Sequence, residues 1–226
     1  LGEEKLASVG ASSSVQFLVL GFCMGICCGF AIPVSQHFGA KNTLKMKEAI
    51  FHAGFLSILF AAVITTACAI LCPNILHILS TPENIFDDAY SYLFIIFLGI
   101  PFTILYNFLS GLLRAVGDSK TPFLFLVFSS ILNIILDLTF IIVFKLGVSG
   151  AALATIMSQG VSGLLCLIYI IKKFPILCIS KEHCRIKSDM TKQMIAMGVP
   201  MGLQYSITAI GSMVMQSANN GLGSTY

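Results

Sequence analysis

Residues 122–144 read PFLFLVFSSILNIILDLTFIIVF, a run long enough to cross the roughly 30 Å hydrocarbon layer of a bilayer as a helix rising about 1.5 Å per residue. One position interrupts it. Asp137 is the only formal charge in the run, and its nearest charged neighbours along the chain are Lys120 and Lys145. An ionisable group at membrane depth costs about 2.5 to 3.5 kcal/mol on insertion scales, so it marks a functional site. Asn133 lies one helical turn earlier, and i, i+4 spacing sets both side chains on one helix face. A carboxylate and an amide so arranged offer several hard oxygens, which suits a proton or a small hard cation.

The same reading extends along the whole chain. Of its 226 residues 57% are hydrophobic and only 10% charged, where soluble domains carry about 25% charged residues. Charge-free runs cover residues 6–40, 49–82, 89–113, 146–171 and 193–226. Together with 122–144 they predict six transmembrane helices and an all-α polytopic membrane protein. No amphipathic alternation of about ten residues recurs, which argues against an outer-membrane barrel. Of the thirteen basic residues, all but Lys5 and Lys145 fall in every second loop. Those loops are then cytoplasmic by the positive-inside rule, and the net charge of +3 is a topology signal with no bearing on nucleic acid. The chain is expected to begin and end outside, and an external start with no preceding span predicts a missing upstream helix.

Six of the eight cysteines, Cys23, Cys27, Cys28, Cys68, Cys72 and Cys166, lie in predicted spans, where Cys behaves as a small apolar residue. Cys178, His183 and Cys184 share a cytoplasmic loop, but three candidate ligands at irregular spacing do not make a structural zinc pattern, and no metal or cofactor is expected.

Within the spans several features stand out. Gly21, Gly25 and Gly29 form a small-residue stripe in the first, at about 13–37, suited to close helix packing, and Pro33 lies near its inner end. The second span is expected at about 49–72, followed by an external loop over 73–88 with a short interfacial helix near 75–79. The third, about 89–113, holds Gly99-Ile100-Pro101, which predicts a bend. Asn107 and Tyr92 are its candidate cavity-lining polar groups, and Gln204 is one in the last span. Between spans three and four the turn Arg114 to Pro122 offers Gly117 for a positive φ and Asp118 as a cap. An Arg114–Asp118 pair would make this turn a hinge. Residues 172–192 form a long basic linker.

The combination Pro101, Gly111-Leu112-Leu113-Arg114-Ala115-Val116-Gly117-Asp118, Thr121-Pro122, Asn133, Asp137 and Gly147-Val148-Ser149-Gly150-Ala151-Ala152-Leu153-Ala154-Thr155-Ile156-Met157-Ser158-Gln159 resembles the multidrug and toxic compound extrusion (MATE) family. Leu1-Gly2-Glu3-Glu4 and Ser35-Gln36-His37-Phe38-Gly39-Ala40-Lys41-Asn42 extend the likeness over the chain; Asn42 departs from it, standing where the family often has Asp. The resemblance implies a twelve-helix transporter of two lobes related by an axis along the membrane normal. Residues 1–171 would be the N-lobe bundle without its first helix, 172–192 the inter-lobe linker and 193–226 the first helix of the C-lobe. Leu222-Gly223 repeats Leu1-Gly2 after six crossings, as a parallel repeat demands.

It also implies that Asn133, Asp137 and Thr155 line a cation site, with an aspartate from the absent first span. The expected function is a Na+- or H+-coupled multidrug antiporter in the plasma (inner) membrane, exporting organic cations or other amphipathic drugs. A lipid-linked oligosaccharide flippase of the same superfamily is disfavoured because the spans carry no basic residue. A non-transporting scaffold would leave Asp137 without purpose. An enzyme is not expected, for want of a nucleophile with its base, a ligand cluster or a phosphate loop.

Overall fold

A computed structural model describes residues 3–79, 81–179 and 186–221, and every element among them is helical. The α-helices are α1 Glu3–Gly39, α2 Thr43–Ile78, α3 Glu83–Leu98, α4 Ile100–Ala115, α5 Lys120–Leu138, α6 Gly147–Lys173 and α7 Ser188–Gly221. A π-helical turn, Thr139–Val143, extends α5, and a short 3-10 turn, Pro175–Leu177, follows α6. These make six crossings, because α3 and α4 are two limbs of one span bent by 42°. The bend falls where Gly99-Ile100-Pro101 predicts it: Pro101 has no N–H to continue the α3 ladder and sits instead in the first turn of α4, where none is needed. A methyl group on Gly99 would collide with the Ile156 side chain, so the joint is also where α6 comes close.

The second span corrects the expected loop at 73–88. Helix α2 runs through Pro73 to Ile78, and α3 starts at Glu83. The hydrogen bond that Pro73 cannot make is offset by burial: Cys72 and Leu76 are wholly enclosed and pack with Ala89 and Leu93 of α3. The His77 and Phe86 rings meet at 4.9 Å across the connection.

Helix α1 is central, touching α2, α3, α4 and α7, while α5 packs along its length on α6 alone and meets α4 only beside the turn. In their most apolar windows 44% of α1 but only 6% of α5 is buried, so α5 is the peripheral helix. Its outward residues Leu124, Phe128, Ile131 and Ile135 are exposed, as a lipid-facing surface requires. The closest crossing is α1 on α7. A Cβ on Gly25 would lie 2.5 Å from Met201 O and one on Gly29 2.5 Å from Gly198 Cα, whereas at Gly21 the nearest atom is 3.8 Å away. The small-residue stripe of α1 thus meets Gly198 and Gly202 of α7, and the two helices separate toward their outer ends.

At the end of the bundle that carries the basic loops the connections are fixed by hydrogen bonds. Asn42 caps α2 by accepting from the Lys45 N–H at 3.1 Å, so an amide performs the capping an aspartate would. Gly117 takes φ +91°, and Asp118 accepts from the Thr121 N–H at 3.0 Å. Tyr106 donates to Pro122 O at 3.0 Å across the same turn. The expected Arg114–Asp118 pair does not form, since the positive φ at Gly117 breaks helical spacing between them and the carboxylate is used as a cap. Arg114 instead faces a groove beside Cys28, Ala31 and Ser35 of α1.

The linker is shorter than residues 172–192, because α6 ends in Lys172 and Lys173 and α7 opens with Asp189 in its first turn; both signs suit the helix termini. Lys187 fastens it to α2. The Lys187 N–H donates to His52 Nε2 at 2.8 Å, and the ammonium bonds both Glu48 carboxylate oxygens at 2.6 and 2.7 Å. His52 Nδ1 lies 2.7 Å from Glu48 O, which can only accept, so Nδ1 carries the hydrogen and Nε2 is left as the acceptor.

Candidate cation site

The inward face of α5 carries Ser129, Asn133 and Asp137 at four-residue steps, two turns beyond Pro122, a polar stripe turned toward α6, while Leu124, Phe128, Ile131 and Ile135 face outward. Ser162 of α6 donates to Phe125 O at 3.4 Å, and a Cβ on Gly150 would lie 3.0 Å from Phe140 Cβ. The antiparallel register fixed by these two contacts sets Asn133 level with Thr155 and Asp137 about one turn further out.

Two atoms on that stripe are buried without a hydrogen-bond partner: Asn133 Nδ2 and Asp137 Oδ1. Gln159 Oε1, one turn below Thr155 on α6, is a third. An unpaired buried polar atom costs about 1 to 3 kcal/mol. Such atoms on facing helices, with a carboxylate among them, form a site whose chemistry is unfinished by the described residues. A half-turn of the Asn133 amide exchanges donor for acceptor, so it serves a protonated carboxyl or a cation equally. Thr155 donates its hydroxyl to Ala151 O at 2.9 Å within its own helix, which holds the oxygen in place and leaves its lone pairs free.

The third wall is α3. It runs parallel to α6, and from the Gly99–Ile156 contact Tyr92 lies about 10 Å outward, within a turn of the depth of Asp137. Tyr92 itself is buried and donates to Gln16 Oε1 of α1 at 2.9 Å. Gln16 in turn lines a groove of about 470 Å³ between the separating outer halves of α1 and α7, with Phe17, Met24, Gln204 and Tyr205.

Of the sequence candidates, Asn133, Asp137, Thr155 and Tyr92 therefore lie around one level of the bundle, and Gln204 sits in the adjoining groove. Asn107 does not join them: its amide donates to Thr103 O at 2.8 Å in its own helix. Arg114, Gly117 and Asp118 lie at the end of the bundle that carries the basic loops. Gln16 was missed, although it is the only amide in residues 15–32. Cys178 bonds Phe174 O, while His183, Cys184, Leu1-Gly2 and Leu222-Gly223 lie outside the described residues. No group of three metal-ligating side chains occurs among the described residues.

Comparisons agree with this architecture. The family model described as MatE matches residues 1–139. The chain is 36% identical to the probable multidrug resistance protein YpnP of Bacillus subtilis (strain 168), over 99% of this chain and 50% of that protein. Two solved structures, both 25% identical, bracket a conformational change. One is an inward-facing multidrug resistance MATE family transporter of the MOP superfamily, with a TM-score of 0.87, covering 93% of this chain and 48% of that one. The other is an outward-facing form, with a TM-score of 0.89, covering 96% and 48%. The chain spans about half the length of the curated relatives it matches. With six helical crossings in the arrangement of that fold and a family model covering more than half its length, this multi-pass membrane chain belongs to the MatE family.

Proposed function

We propose that this chain supplies roughly one lobe of a multidrug efflux transporter of the inner membrane, coupled to Na+ or H+ and working by alternating access. The observation that carries the coupling is the unpaired Asp137 Oδ1 beside the unpaired Asn133 Nδ2 on one face of α5. A proton satisfies the carboxylate by making it a donor; Na+ satisfies it as a hard cation with oxygen ligands from Asp137, Asn133 and Thr155. The two therefore exclude each other, and raising the proton concentration should raise the sodium concentration needed for half-maximal efflux.

In this reading the helices up to Lys173 form the first lobe, residues 174–187 the link, and α7, from Ser188, the start of the second. Because α1 and α7 touch so closely over Gly25, Gly29, Gly198 and Gly202, lobe motion pivots about their inner halves and varies the groove between their outer ones. That groove, apolar apart from Gln16, Gln204, Thr208 and the Tyr205 phenol, suits amphipathic drugs and organic cations. The near-equal match to inward- and outward-facing relatives supports a lobe that keeps its shape while access alternates. The test is Asp137→Asn in the full-length transporter, reconstituted in liposomes under an imposed sodium or proton gradient. The protein should insert normally and gradient-driven drug efflux should fall to that of empty vesicles; undiminished efflux overturns the role of Asp137.

A further inference from the structure

Arg114 carries a charge that nothing around it answers. Asp118, the acid nearest to it along the chain, is committed to the Thr121 N–H, and Arg114 makes no hydrogen bond or ion pair among the described residues. Close packing fixes its place. A Cβ on Gly111 would lie 3.3 Å from Ala31 Cβ and 3.7 Å from Cys27 O. Helix α4 runs parallel to α1, so Arg114, one turn beyond Gly111, comes level with Ser35. There it lines a groove of about 240 Å³ with Cys28, Ala31, Ile32 and Ser35. Ser35 gives its hydroxyl hydrogen to Ile32 O at 2.8 Å, and a thiol is a weak donor, so the guanidinium is the strong donor that this groove offers.

The groove continues a longer surface. Phe17, Leu20, Met24, Cys28, Ala31 and Ser35 follow one another at steps of three or four residues, which sets them on one face of α1. The first three line the outer groove against α7, the last three line the inner one, and neither lining contains an acid. An uncharged lane thus runs along α1 and ends at a single cationic side chain. We infer that Arg114 is an anion-binding station at the inner end of this lane, taking the carboxylate of an amphipathic drug whose apolar body lies along the α1 face. The planar fork of a guanidinium matches a carboxylate with two parallel hydrogen bonds, which fixes the orientation of the bound molecule as well as its charge.

This inference rests on the chain being part of a drug exporter, and the test separates the two. Arg114→Gln and Arg114→Lys are made in the full-length transporter, reconstituted in phosphatidylcholine liposomes under an imposed sodium or proton gradient. Transport rate is followed against concentration for ciprofloxacin, which carries a carboxylate and an amine, for its methyl ester, and for ethidium, a cation without an acid group. Arg114→Gln should raise the KM for ciprofloxacin about tenfold with the maximal rate held, and shift that for the ester and ethidium by less than about twofold. Arg114→Lys keeps the charge and loses the fork, so its KM for ciprofloxacin should fall between those of the parent and Arg114→Gln. An equal shift for all three compounds, the mark of an ion pair between lobes, overturns the station. So does a ciprofloxacin KM that rises when phosphatidylglycerol is added to the parent's liposomes but not to those of Arg114→Gln, which assigns the guanidinium to a lipid phosphate. Failure of the parent to export any of the three compounds overturns the exporter reading itself, a result distinct from these.

Discussion

Thr155 shows how little of a site a single side chain reveals by itself. Its hydroxyl donates to Ala151 O as any helical threonine might, yet the register of α5 on α6 sets it level with Asn133. The two roles separate by substitution. Thr155→Ser keeps the oxygen and should leave cation-dependent efflux close to that of the parent. Thr155→Val removes it at a fold cost of about 1 kcal/mol and should raise the half-saturating cation concentration; equal values for the two variants would reduce Thr155 to a packing residue. Asp137 was legible in the sequence because its cost in an apolar run needs no neighbour to be noticed. Gln16 was not, since a lone amide in a helix acquires meaning only from what faces it, and Tyr92 lies on another helix.

At the scale of elements, the chain announced its breaks better than its partners. Gly99 and Pro101 marked the bend because a missing N–H acts locally, but Pro73 misled, for there the burial of Cys72 and Leu76 outweighs the lost bond. The glycine stripe was readable as a packing surface, although not the helix it packs on: Gly198 and Gly202 belong to the far end of the chain. The fit is graded along α1, and so should be the response to added volume. Gly25→Ala drives a methyl into Met201 O and should destabilise the α1–α7 crossing by about 1 to 3 kcal/mol. Gly21→Ala, with its nearest atom 3.8 Å away, should be nearly neutral. Thermal inactivation of the two variants in detergent compares them directly.

Across the whole molecule, the described linker is anchored at Lys187, through its main chain to buried His52 and through its ammonium to Glu48. The two bonds are unequal. The lysine side chain is 53% exposed, so Lys187→Ala should cost under about 1 kcal/mol. His52→Leu removes the acceptor of the part-buried Lys187 N–H and should cost about 1 to 1.5 kcal/mol, lowering the inactivation temperature the more; the reverse order would mean that the ion pair, and not the imidazole, ties the start of α7 to α2. The π-helical turn Thr139–Val143 acts on the molecule in another way. It stores one surplus residue immediately beyond Asp137, so the acid lies at a seam between two angular phases of the same rod. Were that surplus to slip past the seam, the carboxylate would swing about 100° around the helix axis, exchanging the faces it addresses while the helix ends stayed where they are.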